Sequence, residues 1–235
     1  MSSQKKSSEI ISSHSILMGL TPIIPIPFAD DLANAYFQQR MIRKLAESYE
    51  QTLSNEDLKT LTTEENKGCL PGCLTSILFY PLKKLFRKIF FFLEWKRAID
   101  TVSRSYHKGY LLEYCFQEGL FKPKGAYSAT QIRSAIEATC KEVGTNPIEK
   151  AVRATFDRSK DAVKDVADTL WKNISRITGQ PSDEELQKAA QNVESAEVRT
   201  GVTSQLEQAL VTIPPDYFQH LREKFLFHLK NTKTE

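Results

Sequence analysis

Cysteine is scarce in this chain: Cys69, Cys73, Cys115 and Cys140 are the only four in 235 residues. So few cysteines cannot cross-link a chain of this length into a stable fold, which excludes a small disulfide-rich scaffold. The sequence also opens without the charged, apolar and small-residue pattern of a secretory signal peptide. We therefore expect a reducing, cytoplasmic environment.

Sequence patterns of known catalytic sites are missing as well. There is no G-x4-G-K-[ST] or G-x-G-x-x-G phosphate loop, no H-E-x-x-H pair and no nucleophile elbow. Cys69 and Cys73 are spaced as C-x3-C, but a tetrahedral metal site needs two further ligands at a recognised spacing. We predict no catalytic residue, metal, cofactor or small-molecule substrate, and hence a non-enzymatic protein. Without a zinc finger, RNA-recognition motif or helix-turn-helix, a nucleic-acid partner is not expected.

The composition indicates a globular protein. Hydrophobic residues make up 40% of the chain, charged residues 26% and aromatic residues 10%, and the mean hydropathy is −0.39. These values exclude a polytopic membrane protein and a wholly disordered one. Apolar residues recur at helical spacing and no strand series or internal repeat is found, so we predict an all-α multi-helix bundle.

Several helix boundaries can be predicted from capping patterns. Ser54 and Ser128 each begin a capping box, and Pro215 follows a proline at the start of the last helix. Apolar residues at spacings of three and four from Ile148 to Ile177 predict one long helix of about 30 residues in the C-terminal half. We divide the chain into a disordered tail (1–9), a helical membrane-associated domain (10–125) and a helical C-terminal region (126–235).

The segment from Ile10 to Ala29 has twenty residues without a formal charge. That is about the length needed to cross a bilayer. Three prolines, Pro22, Pro25 and Pro27, remove backbone donors within the segment and oppose a continuous helix. The sequence leaves three interpretations of Ile10 to Phe28 open: a spanning helix, an apolar hairpin inserted at the membrane, and a segment buried in the fold.

A basic amphipathic helix is predicted over residues 82–93. Its apolar positions share one side of a helical projection, and a tryptophan follows directly after the next acid. The predicted membrane-contact residues are Leu82, Leu85, Phe86, Ile89, Phe90, Phe92, Leu93 and Trp95. The predicted contacts for anionic headgroups are Lys83, Lys84, Arg87, Lys88, Lys96 and Arg97.

The positive charge of the chain is concentrated around this helix. Residues 79–125 carry ten Lys and Arg against four Asp and Glu, whereas residues 126–235 carry fifteen against sixteen. An apolar aromatic face opposite lysine and arginine is typical of a helix at the interface between acyl chains and anionic headgroups. A core helix of a soluble bundle, which also has one apolar and one charged side, is the main alternative.

A third alternative is an enzyme that acts on lipid. It would require a concave cleft that gathers His107 with Asp30 or Glu113, which are far apart in sequence.

The segment from Thr21 to Leu61 resembles a known family. It contains Thr-Pro-Ile-Ile-Pro-Ile-Pro-Phe-Ala-Asp-Asp at 21–31 and Gln-Gln-Arg-Met-Ile-Arg-Lys-Leu-Ala-Glu-Ser-Tyr at 38–49. The pattern resembles that of EcsC-like bacterial proteins and of a helical domain encoded with bacterial GTPases. The sequence departs from it at Glu50, where the family has glycine, and it lacks the glycine-rich hairpin and any GTPase module.

This resemblance implies an α-helical, membrane-associated bacterial protein without established catalytic residues. Together with the basic helix, it leads us to expect a non-enzymatic protein at the cytoplasmic face of the cell membrane. Its expected partners are an anionic membrane surface and an unidentified protein. A soluble helical scaffold or adaptor without membrane contact is the alternative.

Overall fold

A computed structural model describes residues 3–23, 29–63, 87–122, 125–174 and 183–232. Within these ranges the chain forms α-helices, one short 3-10 helix at Thr21–Ile23 and no β-strand, so the all-α prediction is confirmed. The helices are α1 Ser3–Leu20, α2 Ala29–Ser48, α3 Asn55–Thr62, α4 Arg87–Gln117, α5 Ala129–Val143, α6 Asn146–Arg158, α7 Lys160–Ile174, α8 Asp183–Thr200, α9 Val202–Leu210 and α10 Pro215–Asn231.

Two central helices, α1 and α4, organise the bundle. They form the most extensive helix pair, and both also pack against α2. On the remaining sides α4 contacts α5 and α6, while α9 covers α1 and α6. The core includes Ile11, Leu17, Ile99, Val102 and Phe116, all almost completely buried.

Glycine lets α1 and α4 approach closely. A Cβ atom built on Gly19 would lie 2.2 Å from Val102 Cγ2 and 2.9 Å from the carbonyl oxygen of Ala98. One built on Gly109 would lie 2.8 Å from Ile11 Cγ2. Each central helix therefore uses a glycine to make room for the other.

Helix α1 begins at Ser3, within the segment 1–9 that we predicted to be a disordered tail. That prediction is wrong for residues 3–9, because Ser7 is completely buried and lies 3.3 Å from the hydroxyl of Tyr49. Small serine side chains fit where helices pack closely, so a serine-rich polar stretch can be buried as well as solvated.

The uncharged stretch that follows also lies inside the bundle. Ile11, Leu17, Leu20 and Thr21 are buried among neighbouring helices. Of the three interpretations, a buried segment agrees with the structure over residues 10–21, while residues 24–28 lie outside the described ranges. No helix in the described part of the chain combines the length and apolar character needed to cross a membrane.

The predicted helix starts are largely confirmed. Ser54 accepts a hydrogen bond from the amide of Asp57 at the start of α3, and Ser128 and Gln131 form the predicted capping box of α5. Helix α10 begins at Pro215 and buries Leu221 as expected.

The predicted long C-terminal helix is divided in two. Helix α6 ends at Arg158 and α7 begins at Lys160, with Ser159 between them at φ −109° and ψ 30°. The apolar spacing continues through the break, which is why the periodicity did not reveal it. The longest described helix is instead α4, with 31 residues.

Helix α2 is followed by Glu50, whose backbone conformation glycine adopts more easily. Glu50 has φ 54°, and it is the only described residue other than glycine with a positive φ. The amide of Gln51 donates to the carbonyl of Ala46, and that of Glu50 donates to Glu47, which is the Schellman pattern. Helix α4 ends with the same pattern, but with Gly119 at the left-handed position.

We predict that Glu50→Gly stabilises the protein by about 1 kcal/mol, because it removes the Cβ strain of the left-handed conformation. Glu50→Ala is the matched control, since it removes the same charge but keeps the Cβ. Urea unfolding followed by circular dichroism measures both. Equal stabilities of the two variants would contradict the strain argument.

We also predict that Gly19→Ala destabilises the protein by about 2 kcal/mol through overpacking between α1 and α4. On helix propensity alone this substitution would be stabilising by about 1 kcal/mol, so the sign of the change is decisive. Urea unfolding of Gly19→Ala and of the double variant with Val102→Ala provides the measurement. The second substitution should recover part of the loss, because it removes the methyl group closest to the new Cβ.

Candidate functional site

The predicted membrane-binding residues lie in and before the N-terminal part of α4. Helix α4 begins at Arg87, and residues 64–86 lie outside the described ranges. The predicted contacts outside those ranges are Leu82, Lys83, Lys84, Leu85 and Phe86. For Arg87, Lys88, Ile89, Phe90, Phe92 and Leu93, the structure describes the helical backbone and not the side chains.

The described side chains of this group occupy two environments. Trp95 is half-buried, and its ring centroid lies 5.3 Å from that of Phe156 on α6. Trp95 therefore packs, at least in part, against protein. Lys96 and Arg97 are exposed, as is Arg104 further along α4.

The register of α4 relates the apolar positions before Glu94 to these exposed cations. Residues seven apart lie on nearly the same side of an α-helix. Ile89 and Phe90 precede Lys96 and Arg97 by seven, and Leu93 precedes them by three and four. These apolar positions thus share the helical register of Lys96 and Arg97, which are exposed. The buried side is defined by Ala98, Ile99, Val102 and Tyr106.

A second cluster of charged residues lies where α8 meets α1 and α2. Glu194 of α8 accepts from Arg40 Nε at 2.5 Å, Arg40 Nη2 at 3.2 Å and Lys44 Nζ at 3.1 Å. His14 Nε2 of α1 lies 3.5 Å from the same carboxylate. Burial raises the pKa of Glu194, but His14, Arg40 and Lys44 outweigh burial and hold this pKa well below its usual range.

His14 is almost completely buried beside this carboxylate. Its Nδ1 lies 2.8 Å from the carbonyl oxygen of Ile10 and 3.2 Å from Ser13 Oγ. Burial lowers the pKa of His14, and the neighbouring Glu194 offsets this only in part. A neutral imidazole that donates from Nδ1 to Ile10 presents only a lone pair toward Glu194.

A cleft of about 670 Å³ opens next to the Glu194 cluster. Its walls come from α1, α2, α8 and α9, and they include Glu9, Lys44, Glu47, Glu194 and Glu207. The lining contains four carboxylates and two lysines, Lys6 and Lys44, and therefore has a net charge of −2. The sequence did not indicate this cleft, because its residues come from four segments.

His107 is fully buried elsewhere on α4. Among the described residues neither ring nitrogen has a hydrogen-bond partner, and the centroid of the Tyr217 ring on α10 lies 6.1 Å away. Burial lowers the pKa of His107 to about 4. The tyrosine hydroxyl is already engaged, since it donates to the carbonyl of Gly144.

The residues considered for a lipid-acting enzyme are not brought together. Glu113 accepts a hydrogen bond from the Tyr49 hydroxyl at 2.9 Å and lies about 120° around α4 from His107. Burial raises the pKa of Glu113, although Tyr49 opposes the shift. The side chain of Asp30 lies outside the described residues. The structure thus shows no shared cleft for His107 and Glu113.

Metal ligands do not converge in the described ranges, where no group of three or more His, Cys, Asp or Glu side chains could hold an ion. Cys115 is buried and Cys140 is half-buried, both as free thiols. Burial raises the pKa of Cys140 to about 11, so its thiol is a weak nucleophile near neutral pH. Cys69 and Cys73 lie outside the described ranges.

No family model matches the chain, and no curated protein or solved structure is similar to it. The resemblance of residues 21–61 to the EcsC-like and GTPase-associated families thus stays a prediction.

We predict that His107 makes the fold sensitive to acid. The unfolded chain binds a proton at a pKa near 6.5 and the folded chain only at about 4, so stability is lost as the pH falls through this window. Between about pH 7 and about pH 5 this histidine should cost about 2 kcal/mol of unfolding free energy. Urea titrations at both pH values measure the loss.

His107→Leu and His107→Phe should both lose this part of the pH dependence, whatever their stability near neutral pH. Two side chains of different shape separate the protonation effect from a packing defect. A pH dependence in both variants equal to that of the wild type would show that His107 does not carry the effect.

Proposed function

We propose that this protein associates peripherally with the cytoplasmic face of a bacterial membrane through the N-terminal half of α4 and the basic segment before it. In this proposal it has no catalytic activity and presents its other helices to a protein partner. The supporting observation is the register of α4, in which Ile89, Phe90 and Leu93 align with exposed Lys96 and Arg97.

The proposal combines two contributions to binding. Each lysine or arginine near an anionic surface contributes about 1 kcal/mol, and buried apolar area adds about 25 cal/mol per Å². Within the described part of the chain, neither Lys96 nor Arg97 forms an ion pair, so their charges are available to headgroups. Because residues 10–21 are buried in the bundle, the proposal assigns them no membrane contact.

Co-sedimentation with vesicles tests the charge contribution. Wild-type protein should sediment with vesicles of phosphatidylcholine and phosphatidylglycerol, bind much less to phosphatidylcholine alone, and be released at high salt. Lys96→Glu with Arg97→Glu should weaken binding by about tenfold or more, because two attractive charges become repulsive. Lys141→Glu with Lys150→Glu is the matched control, since it makes the same charge change at exposed positions of α5 and α6.

The apolar contribution needs a separate variant. Phe90→Ser with Leu93→Ser should reduce binding to the anionic vesicles at low salt and leave the net charge unchanged. If wild-type protein does not co-sediment with anionic vesicles, the soluble scaffold is the correct interpretation. If the two double charge reversals bind equally, α4 is not the contact. Release of fatty acid or lysolipid from the vesicles would contradict a non-enzymatic role.

A further inference from the structure

Helices α7 and α8 form a hairpin that is only lightly attached to the rest of the bundle. The two helices pack mainly on each other, and their contacts with the remaining described helices are small by comparison. Helix α7 touches the 3-10 helix at Thr21–Ile23, and α8 touches α1 and α2. The hairpin is thus a distinct packing unit on the side of the bundle.

Both ends of the hairpin join the bundle through a single non-helical residue. Ser159 separates α6 from α7, and Gly201, in the left-handed conformation at φ 67°, separates α8 from α9. Ser159 Oγ donates a hydrogen bond to Gln205 Oε1 on α9, and α6 packs against α9. The two joints therefore lie side by side on a common base.

Glu194 ties the hairpin to α2. Its carboxylate binds Arg40 through two nitrogens and Lys44 through one, and both partners belong to α2. His14 Nε2 of α1 lies 3.5 Å from the same carboxylate. The guanidinium and carboxylate form a bidentate pair, which is the geometry that makes such contacts strong and specific.

We infer that the α7–α8 hairpin is a hinged arm, which Glu194 latches onto α1 and α2 and which swings at Ser159 and Gly201. Glu194 also forms part of the wall of the 670 Å³ cleft, so opening of the arm widens that cleft. The same motion uncovers Arg40, Lys44 and His14. Val163, Val166 and Val193 are completely buried in the closed position, and the latch sets the orientation of the arm.

Hydrogen exchange followed by mass spectrometry on the full chain tests this inference. Glu194→Lys should raise the exchange rates of peptides from residues 160–174 and 183–200 by about tenfold or more, because like charges then oppose the closed arm and a released helix pair unfolds locally more easily than a docked one. Peptides from α4 and α10 should keep their wild-type rates. Glu194→Gln, which keeps the shape and removes the charge, should give a smaller increase in the same peptides.

The matched control is Glu184→Lys, which makes the same substitution at an exposed position of α8 and should leave exchange unchanged. The triple variant Arg40→Glu, Lys44→Glu and Glu194→Arg inverts the latch and should restore protection of the arm. Wild-type exchange in Glu194→Lys, uniform loss of protection over all helices, or failure of the inverted latch to restore protection would each overturn the inference.

Discussion

The close approach of α1 and α4 at Gly19 and Gly109 positions the rest of the bundle. With any side chain at these glycines, the helices would have to separate or slide, because the atoms opposite belong to Val102, Ala98 and Ile11. The short separation places α2 against both central helices at once. The polar network from Ser7 through Tyr49 to Glu113 joins α1, α2 and α4 at this junction. Because protein interiors are close-packed, a substitution at Gly19 or Gly109 would require the neighbouring residues to change as well.

The same packing explains why the core contains unusual polar groups. Small hydroxyl side chains fit where two backbones approach. Several of them donate a hydrogen bond to a carbonyl of their own helix, as Ser103 does to the carbonyl of Ile99. His107 is different, because neither ring nitrogen has a hydrogen-bond partner in the part of the chain that the structure describes. Burial without compensation costs free energy once the ring is protonated. Helix α4 therefore contains both the close glycine contacts with α1 and an acid-sensitive histidine.

Local chemistry made part of the fold predictable. The N-cap at Ser54, the capping box at Ser128 and the proline start of α10 depend on residues within one turn, so the sequence displays them directly. The break at Ser159 could not be predicted, since apolar spacing continues through it and the Gln205 contact comes from a distant helix. The Glu194 cluster was equally hidden, because Arg40 lies 154 residues away. The burial of the serines in α1 could not be predicted for a related reason: only the tertiary contact with Tyr49 distinguishes Ser7 from a solvated residue.

Net charge is a poor guide to the surface of this protein, because its cations are used in two ways. Arg40 and Lys44 are neutralised by Glu194 and hold the chain together. Lys96 and Arg97 lie exposed on the longest described helix, in the region where the sequence concentrates positive charge. Charges in partly buried pairs are screened little by salt, whereas exposed charges are screened strongly. A salt titration should therefore separate the two sets, with the proposed attraction between α4 and an anionic surface weakening well before the Glu194 contacts do.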